Sequence, residues 1–173
     1  MVCYDEVVAH IHEKYDFTVG VFIVYEDTVL LVNHPRYDMW LPPGGHIELD
    51  EDPEEALFRE IKEETGLDVE IIAPKPNLNF PGNKYIYLPA YISVHDANPP
   101  HKHIGLTYYA KAKSPSNMQS AEHTDTKWFN ETELEDSQYH MPPEIKHFAK
   151  EAIKTINNTW LVKYSLTPLD PIP

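Results

Sequence analysis

The sequence predicts one α/β domain built on a mixed β-sheet. Segments dense in apolar and β-branched residues alternate along the chain with two segments of helical periodicity, a pattern typical of strands covered by helices. A chain of 173 residues can bury one good core but is too short for two ordinary domains. We therefore expect a single compact unit of strands and two helices.

The predicted strands are runs of apolar residues bounded by turn residues. Residues 18–25 (TVGVFIVY) form the densest run, and the turn at Glu26-Asp27 returns the chain into 28–33 as a hairpin. Pro89 interrupts a later run, so we expect an edge position or a bulge there. The other predicted strands comprise residues 68–72, 85–94, 104–111 and 127–130.

The first predicted helix has distinct start and stop signals. Asp52 is a good N-cap, and Pro53 is tolerated at the first helical position because its missing N–H would have no partner there. Gly66 predicts the end, since glycine adopts the left-handed conformation without strain. The helix should therefore comprise Pro53–Thr65. Its side facing the sheet should contain Leu57, Phe58, Ile61 and Thr65.

The second predicted helix follows Pro142-Pro143 and ends at Asn157-Asn158. Apolar residues recur there at helical spacing and would form one face against the sheet. These residues are Ile145, Phe148, Ala149, Ala152, Ile153 and Ile156.

Three carboxylates on the first helix indicate a metal site. Glu60, Glu63 and Glu64 are related by i+3 and i+4 spacing, so they share one strip of the helix surface. Glu60 and Glu64 repel each other by about 0.2–0.5 kcal/mol, so helix stability alone would favour Lys at one of these positions. Carboxylate oxygens suit Mg²⁺ or Mn²⁺ rather than zinc. The competing interpretation is an acidic face exposed to solvent.

A glycine turn before this helix favours the metal site. Gly44 and Gly45 follow two prolines and allow the backbone to approach a metal closely, where a side chain would block it.

Composition limits the partners that we expect. The formal net charge of −14 argues against binding nucleic acid or an anionic membrane through a basic surface. Cys3 is the only cysteine, so no disulfide framework or cysteine metal site is expected. The first 20 residues lack an apolar core of signal-peptide length, and no run of about 18 apolar residues occurs. We expect a cytoplasmic protein.

Residues 45–67 resemble the Nudix box, the signature of the Nudix hydrolase superfamily (G-x5-E-x7-R-E-U-x-E-E-x-G-U, with U aliphatic). Every specified position matches: Gly45, Glu51, Arg59, Glu60, Ile61, Glu63, Glu64, Gly66 and Leu67. The resemblance implies an α/β/α sandwich with a mixed sheet over residues 17–156, an N-terminal extension at 1–16 and a C-terminal extension at 157–173. It also implies Mg²⁺-dependent hydrolysis of a nucleoside diphosphate linked to another group, with Mn²⁺ as a substitute metal.

The resemblance carries roles to individual residues. Glu60 and Glu64 match the main side-chain metal ligands, and the carbonyl of Gly44 matches a further ligand. Glu63 matches either another ligand or the general base that activates water. Arg59 resembles the arginine that holds the carboxylates, with Glu51 as its partner or as an outer metal ligand. Glu122, in the loop before Trp128-Phe129, is the second candidate for the base.

The substrate is predicted only as a small nucleotide. Arg36 is expected to reach a phosphate, and a base could stack on Tyr37, Phe80, Tyr85 or Tyr87. His101 and His103 should share one strand face and contact substrate rather than metal, because carboxylates already supply ligands. Nucleoside triphosphates, dinucleoside polyphosphates, and ADP-ribose or nucleotide sugars stay open, since the hints from Pro81 and Tyr85 each rest on one residue.

Three other functions compete with hydrolysis of a small nucleotide. A non-catalytic nucleotide sensor would not need three clustered carboxylates. An isopentenyl diphosphate isomerase of the same fold would need a cysteine in the site, and Cys3 is badly placed for that. The net charge weakens an mRNA-decapping role.

A homodimer is the expected assembly if the chain follows other family members.

Overall fold

The computed structural model describes residues 14–34, 38–97, 100–116 and 125–158. Over these ranges the chain forms one eight-stranded mixed sheet and two α-helices, α1 (Pro53–Thr65) and α2 (Pro143–Asn157), with a 3-10 turn at Glu133–Glu135. The strands are β1 (Tyr15–Tyr25), β2 (Thr28–His34), β3 (Met39–Leu41), β4 (Gly44–His46), β5 (Val69–Ile71), β6 (Tyr91–Asp96), β7 (Lys102–Ala112) and β8 (Asp125–Phe129). Cys3 and the C-terminal extension from residue 159 onwards lie outside the described residues.

Two long parallel strands form the centre of the sheet. β1 pairs with β7 from Tyr15↔Lys102 to Val24↔Lys111, and all other strand pairs are antiparallel. The main order is β3-β2-β1-β7-β5, with β8 beside β2 and β6 beside β7. β1 pairs with β4 through residues 18–20 and with β2 through residues 23–25. This sharing brings the glycine turn against the middle of the sheet.

The helices cover opposite faces of the sheet. Val21 and Ile23 of β1 pack in one core with Leu57 of α1. Phe22 and Val24 alternate with them and pack in a second core with Ile153 of α2. The expected α/β/α sandwich is therefore confirmed. Each fully buried aliphatic side chain contributes roughly 1.5–3 kcal/mol relative to an exposed one.

Helix α1 has the bounds that its sequence signals predict. The carboxylate of Asp52 accepts hydrogen bonds from the N–H groups of Glu54 (2.8 Å) and Glu55 (3.1 Å), and the Glu55 carboxylate accepts one from the N–H of Asp52 (2.9 Å). This reciprocal arrangement is a capping box. Gly66 ends the helix with φ of 65°, and its N–H donates to the carbonyl of Lys62.

The structure differs from the predicted local structure in three places. The run 85–94 is a strand only from Tyr91, because Pro89 has no N–H to donate and pairing with β7 begins after it. The short strands β3 and β4 were missed, since only non-local pairing defines them. Phe58 is 41% exposed, whereas Leu57 is fully buried, because Phe58 lies at the margin of the apolar stripe.

No helix in the described ranges is long and apolar enough to cross a membrane.

Replacing Asp52 with Ala should lower the free energy of unfolding by about 0.5–2 kcal/mol, because two N–H groups of the first helical turn lose their acceptor. Urea unfolding followed by circular dichroism measures this change. Asp50→Ala is the control, since it removes a carboxylate from the adjacent exposed turn. Equal stability of the two variants would contradict a capping contribution from Asp52.

Candidate active site

A cleft of about 360 Å³ lies between α1 and the strands β2 and β4. The glycine turn forms one wall through the backbone of Gly44 and Gly45, and His46 continues that wall. The charged side chains that line the cleft are Glu48, Arg59, Glu60, Glu63 and Glu64. The predicted carboxylate strip and the glycine turn therefore face the same space.

Two of the three strip carboxylates are held in the wall of the cleft. Glu60 and Glu64 are 7% and 4% exposed as residues, whereas the side chain of Glu63 is 54% exposed. Oε2 of Glu64 accepts a hydrogen bond from the N–H of Gly44 at 2.8 Å, which joins α1 to the glycine turn. Burial raises the pKa of Glu60 above its ordinary value, and the charges of Glu64 and Glu63 add to the rise, although Arg59 opposes it.

Arg59 connects the carboxylates to the loop before the helix. Its Nε and Nη2 donate to the two oxygens of Glu51, at 2.6 and 3.0 Å. Its Nη1 donates to Glu60 at 2.7 Å and to Glu63 at 3.1 Å, and Nη2 also donates to the carbonyl of His46 at 3.0 Å. These contacts, above all the one with Glu51, raise the pKa of the guanidinium, so Arg59 stays charged.

The two glycines are required by close approach. A Cβ on Gly45 would lie 2.2 Å from Oε1 of Glu60. A Cβ on Gly44 would lie 2.1 Å from the carbonyl oxygen of Val19, and Gly44 has φ of 150°, which L side chains rarely adopt. Glycine at 44 therefore permits β4 to pair with β1, and glycine at 45 leaves room for the Glu60 carboxylate.

The charge balance of the cleft fits a hard divalent cation. Among the described lining residues, four carboxylates face one guanidinium. Glu60 and Glu64 are also too buried for water to screen their repulsion fully. Oxygen donors in this number and arrangement suit Mg²⁺ or Mn²⁺. The residues present thus match the metal that the sequence predicts.

Several predicted site residues are not among the described residues that line the cleft. Arg36, Tyr37 and Glu122 are outside the described residues. The ring of Tyr85 lies 6.5 Å from that of Phe80, within the segment 74–89, and neither residue lines the cleft. Lys75 covers the ring of Tyr87 at 4.7 Å from its centroid. None of these three rings lines the cleft, so none of them offers a nucleobase a stacking surface there.

A histidine cluster at the rim of the cleft was not predicted from the sequence. Nε2 of His46 lies 3.3 Å from Nε2 of His103, and Asp16 completes a group whose ligand atoms all lie within 4.8 Å of one another. Burial lowers the pKa of His103, and the neighbouring His46, His95 and His101 add to this effect. Only the alternation of His101 and His103 was visible in the sequence, because strand register brings the other residues together.

Gly45→Ala should weaken Mg²⁺ binding by roughly 10-fold or more, because the added Cβ displaces the Glu60 carboxylate. The Mg²⁺-dependent rise in melting temperature measures this affinity. Gly20→Ala is the matched control, since its Cβ would meet only Cγ of Pro42 at 3.8 Å. An unchanged Mg²⁺ dependence in Gly45→Ala would argue against Glu60 as a ligand.

Comparison with known proteins identifies the family of this fold and site. A family model described as NUDIX domain matches residues 14–154. The crystal structure of a NUDIX-family hydrolase from Clostridium perfringens matches with a TM-score of 0.74 at 37% sequence identity, covering 82% of this chain and 97% of that chain.

Two curated relatives resemble shorter parts of the chain. An RNA pyrophosphohydrolase from Marinomonas sp. (strain MWYL1) is 48% identical over 64 residues, which are 35% of this chain and 40% of the relative. Diphosphoinositol polyphosphate phosphohydrolase 3-alpha from Mus musculus is 51% identical over 43 residues, 24% of this chain and 26% of the relative. The chain thus spans less than half the length of these two relatives. The domain match and the Clostridium structure, which cover most of the chain, show that it belongs to the NUDIX domain family.

Proposed function

We propose that this chain hydrolyses a diphosphate bond in a nucleoside diphosphate linked to another group, with Mg²⁺ as its cofactor. The observation that carries the proposal is the convergence of Glu60, Glu63 and Glu64 on one cleft beside the backbone of Gly44 and Gly45. A diphosphate entering this acidic cleft would be repelled unless a cation neutralised it. The same cation requirement makes the site selective for a metal-bound phosphate chain.

The chain's own residues would hold the metal in place. Glu60 and Glu64 would be the main side-chain ligands, with the Gly44 carbonyl as a further one. When bound, Mg²⁺ neutralises phosphate charge, polarises phosphorus and lowers the pKa of the attacking water. Arg59 orients Glu60 through a charge-assisted hydrogen bond, and the N–H of Gly44 orients Glu64.

Glu63 is our candidate for the base that accepts a proton from the attacking water. Its side chain is the most exposed of the three strip carboxylates, so water can reach it. Its hydrogen bond to Arg59, at 3.1 Å, is longer than that of Glu60, at 2.7 Å. Glu122 is the alternative base that the sequence offers.

The substrate class is a small nucleotide rather than a nucleic acid. The net charge of −14 disfavours long polyanions. One relative is named an RNA pyrophosphohydrolase and the other a diphosphoinositol polyphosphate phosphohydrolase. Both kinds of substrate therefore belong in a substrate screen as competing candidates. A cytoplasmic location and a homodimer also stay predictions.

Product analysis tests this proposal directly. The panel contains nucleoside triphosphates, nucleotide sugars, ADP-ribose, dinucleoside polyphosphates, 5′-triphosphorylated RNA and a diphosphoinositol polyphosphate, each with Mg²⁺ and with chelator. We expect chelator-sensitive cleavage of one nucleotide class. Binding of a nucleotide without cleavage of any compound would instead support the sensor interpretation.

Glu64→Gln should leave the fold intact, because an amide oxygen can still accept the hydrogen bond from Gly44. Turnover should fall on the order of 10²-fold or more, since a metal ligand that stabilises the transition state by several kcal/mol is lost. Steady-state kinetics at saturating Mg²⁺ measures the effect, with Glu70→Gln, at an exposed residue of β5, as the control. A near-normal rate would remove Glu64 from direct ligation.

A pair of variants separates the two candidate bases. Glu63→Gln should lower kcat by about 10²–10⁴-fold, because the attacking water loses its proton acceptor. Glu122→Gln should keep a rate close to that of the unchanged protein. The opposite ranking of the two rates would assign the base to Glu122.

A further inference from the structure

A group of nitrogen and oxygen ligands lies beside the carboxylate cleft without a role in the proposed hydrolysis. Asp16 of β1, His46 of β4 and His103 of β7 point their ligand atoms toward one another, all within 4.8 Å. His46 also lines the cleft. The group therefore sits at the cleft rim, on strands rather than on α1.

Strand register assembles this group from distant parts of the chain. Asp16 is the parallel partner of His103 across the β1–β7 pair. His46 is the antiparallel partner of Thr18, two residues beyond Asp16 on the same face of β1. Pairing of these three strands therefore fixes the three Cα positions before any ion arrives.

The distances approach those of a tetrahedral zinc site. Two nitrogens on tetrahedral zinc lie about 3.3–3.4 Å apart, given Zn–N bonds of about 2.0–2.1 Å. Nε2 of His46 and Nε2 of His103 are 3.3 Å apart. Oδ2 of Asp16 lies 3.8 Å from Nε2 of His46, and the side chains of both residues are about half exposed.

A second layer of histidines orients the ligands. Nε2 of His101 lies 2.8 Å from Oδ2 of Asp16, which holds that carboxylate toward the group. The ring of His95 packs edge-on against His103, with centroids 5.3 Å apart. A ligating carboxylate that is itself hydrogen-bonded, as Asp16 is to His101, is typical of metal sites.

We propose that Asp16, His46 and His103 bind a Zn²⁺ ion at a site separate from the carboxylate site on α1. Imidazole nitrogens select zinc over Mg²⁺, which prefers oxygen ligands, so the two sites take different ions. Three protein ligands leave a fourth position for water or for an oxygen of a bound molecule. Since His46 belongs to the cleft lining, an ion held here borders the space in which the diphosphate is proposed to bind.

Co²⁺ spectroscopy in excess Mg²⁺ tests the site without relying on activity. Four-coordinate Co²⁺ absorbs visible light strongly, whereas six-coordinate Co²⁺ on carboxylates absorbs weakly. We expect a strong band that saturates at one Co²⁺ per chain and disappears when Zn²⁺ is added. Glu64→Gln should keep this band, so a failure of the proposed hydrolysis would leave this result unaffected.

Single variants assign the ligands. His103→Ala and Asp16→Asn should each weaken Zn²⁺ binding by roughly 100-fold or more, measured by competition with a chromogenic chelator. His46→Gln should weaken Zn²⁺ binding by a similar factor. Because the His46 side chain is exposed, this variant should fold even if His103→Ala does not. His147→Ala is the matched control, since this exposed histidine lies 3.5 Å from Glu151 on α2.

Two results would overturn the proposal. Zn²⁺ affinity unchanged in His46→Gln and Asp16→Asn would mean that the ion binds elsewhere, and that the 3.3 Å contact is only a hydrogen bond between two imidazoles. Loss of the Co²⁺ band in Glu64→Gln, with the band retained in His46→Gln, would place the ion on the glutamates.

Discussion

The candidate site depends on one guanidinium that donates hydrogen bonds to three carboxylates and holds them in place. Arg59 reaches the loop through Glu51, its own helix through Glu60 and Glu63, and β4 through the carbonyl of His46. Three separate segments are thereby fixed relative to one another. A lysine could not replace it, because a single ammonium lacks the planar set of donors that contacts both oxygens of Glu51 at once.

A second constraint is steric and comes from the sheet. β4 can pair with β1 only because Gly44 has no Cβ. A Cβ at this position would collide with the backbone of Val19. That pairing brings the N–H of Gly44 to Glu64 and leaves the carboxylate of Glu60 beside Gly45. The helix supplies the charges, the sheet supplies the backbone donors, and glycine permits the two to meet. The carboxylate site is therefore a property of the contact between α1 and the sheet.

Local signals allowed much of this arrangement to be predicted. The bounds of α1 follow from Asp52 and Gly66, which act on the residues next to them, and the resemblance of residues 45–67 named the acidic positions. The margin of the apolar stripe was not predicted correctly, because Phe58 lies one residue from Leu57 and periodicity alone cannot decide which of the two the sheet covers.

Non-local features could not be predicted in the same way. The strands β3 and β4 have three residues each and exist through their partners. The cluster of Asp16, His46 and His103 requires two strand registers, and a shift of one residue in either would turn a ligand to the opposite face of the sheet. The sequence alone shows the alternating His101 and His103, but it does not show which residues of other strands lie beside them.

The parallel pairing at the centre of the sheet has a consequence for the order of folding. Asp16 and His101 lie 85 residues apart in sequence, and His46 and His103 lie 57 apart. Contacts of such separation form slowly, since a long loop must close before any stabilising contact is gained. The hairpin of β1 and β2 and the capped helix α1 need only short-range contacts. A nascent chain would thus form the acidic helix α1 early. The histidine cluster would assemble only later, when β7 pairs with β1.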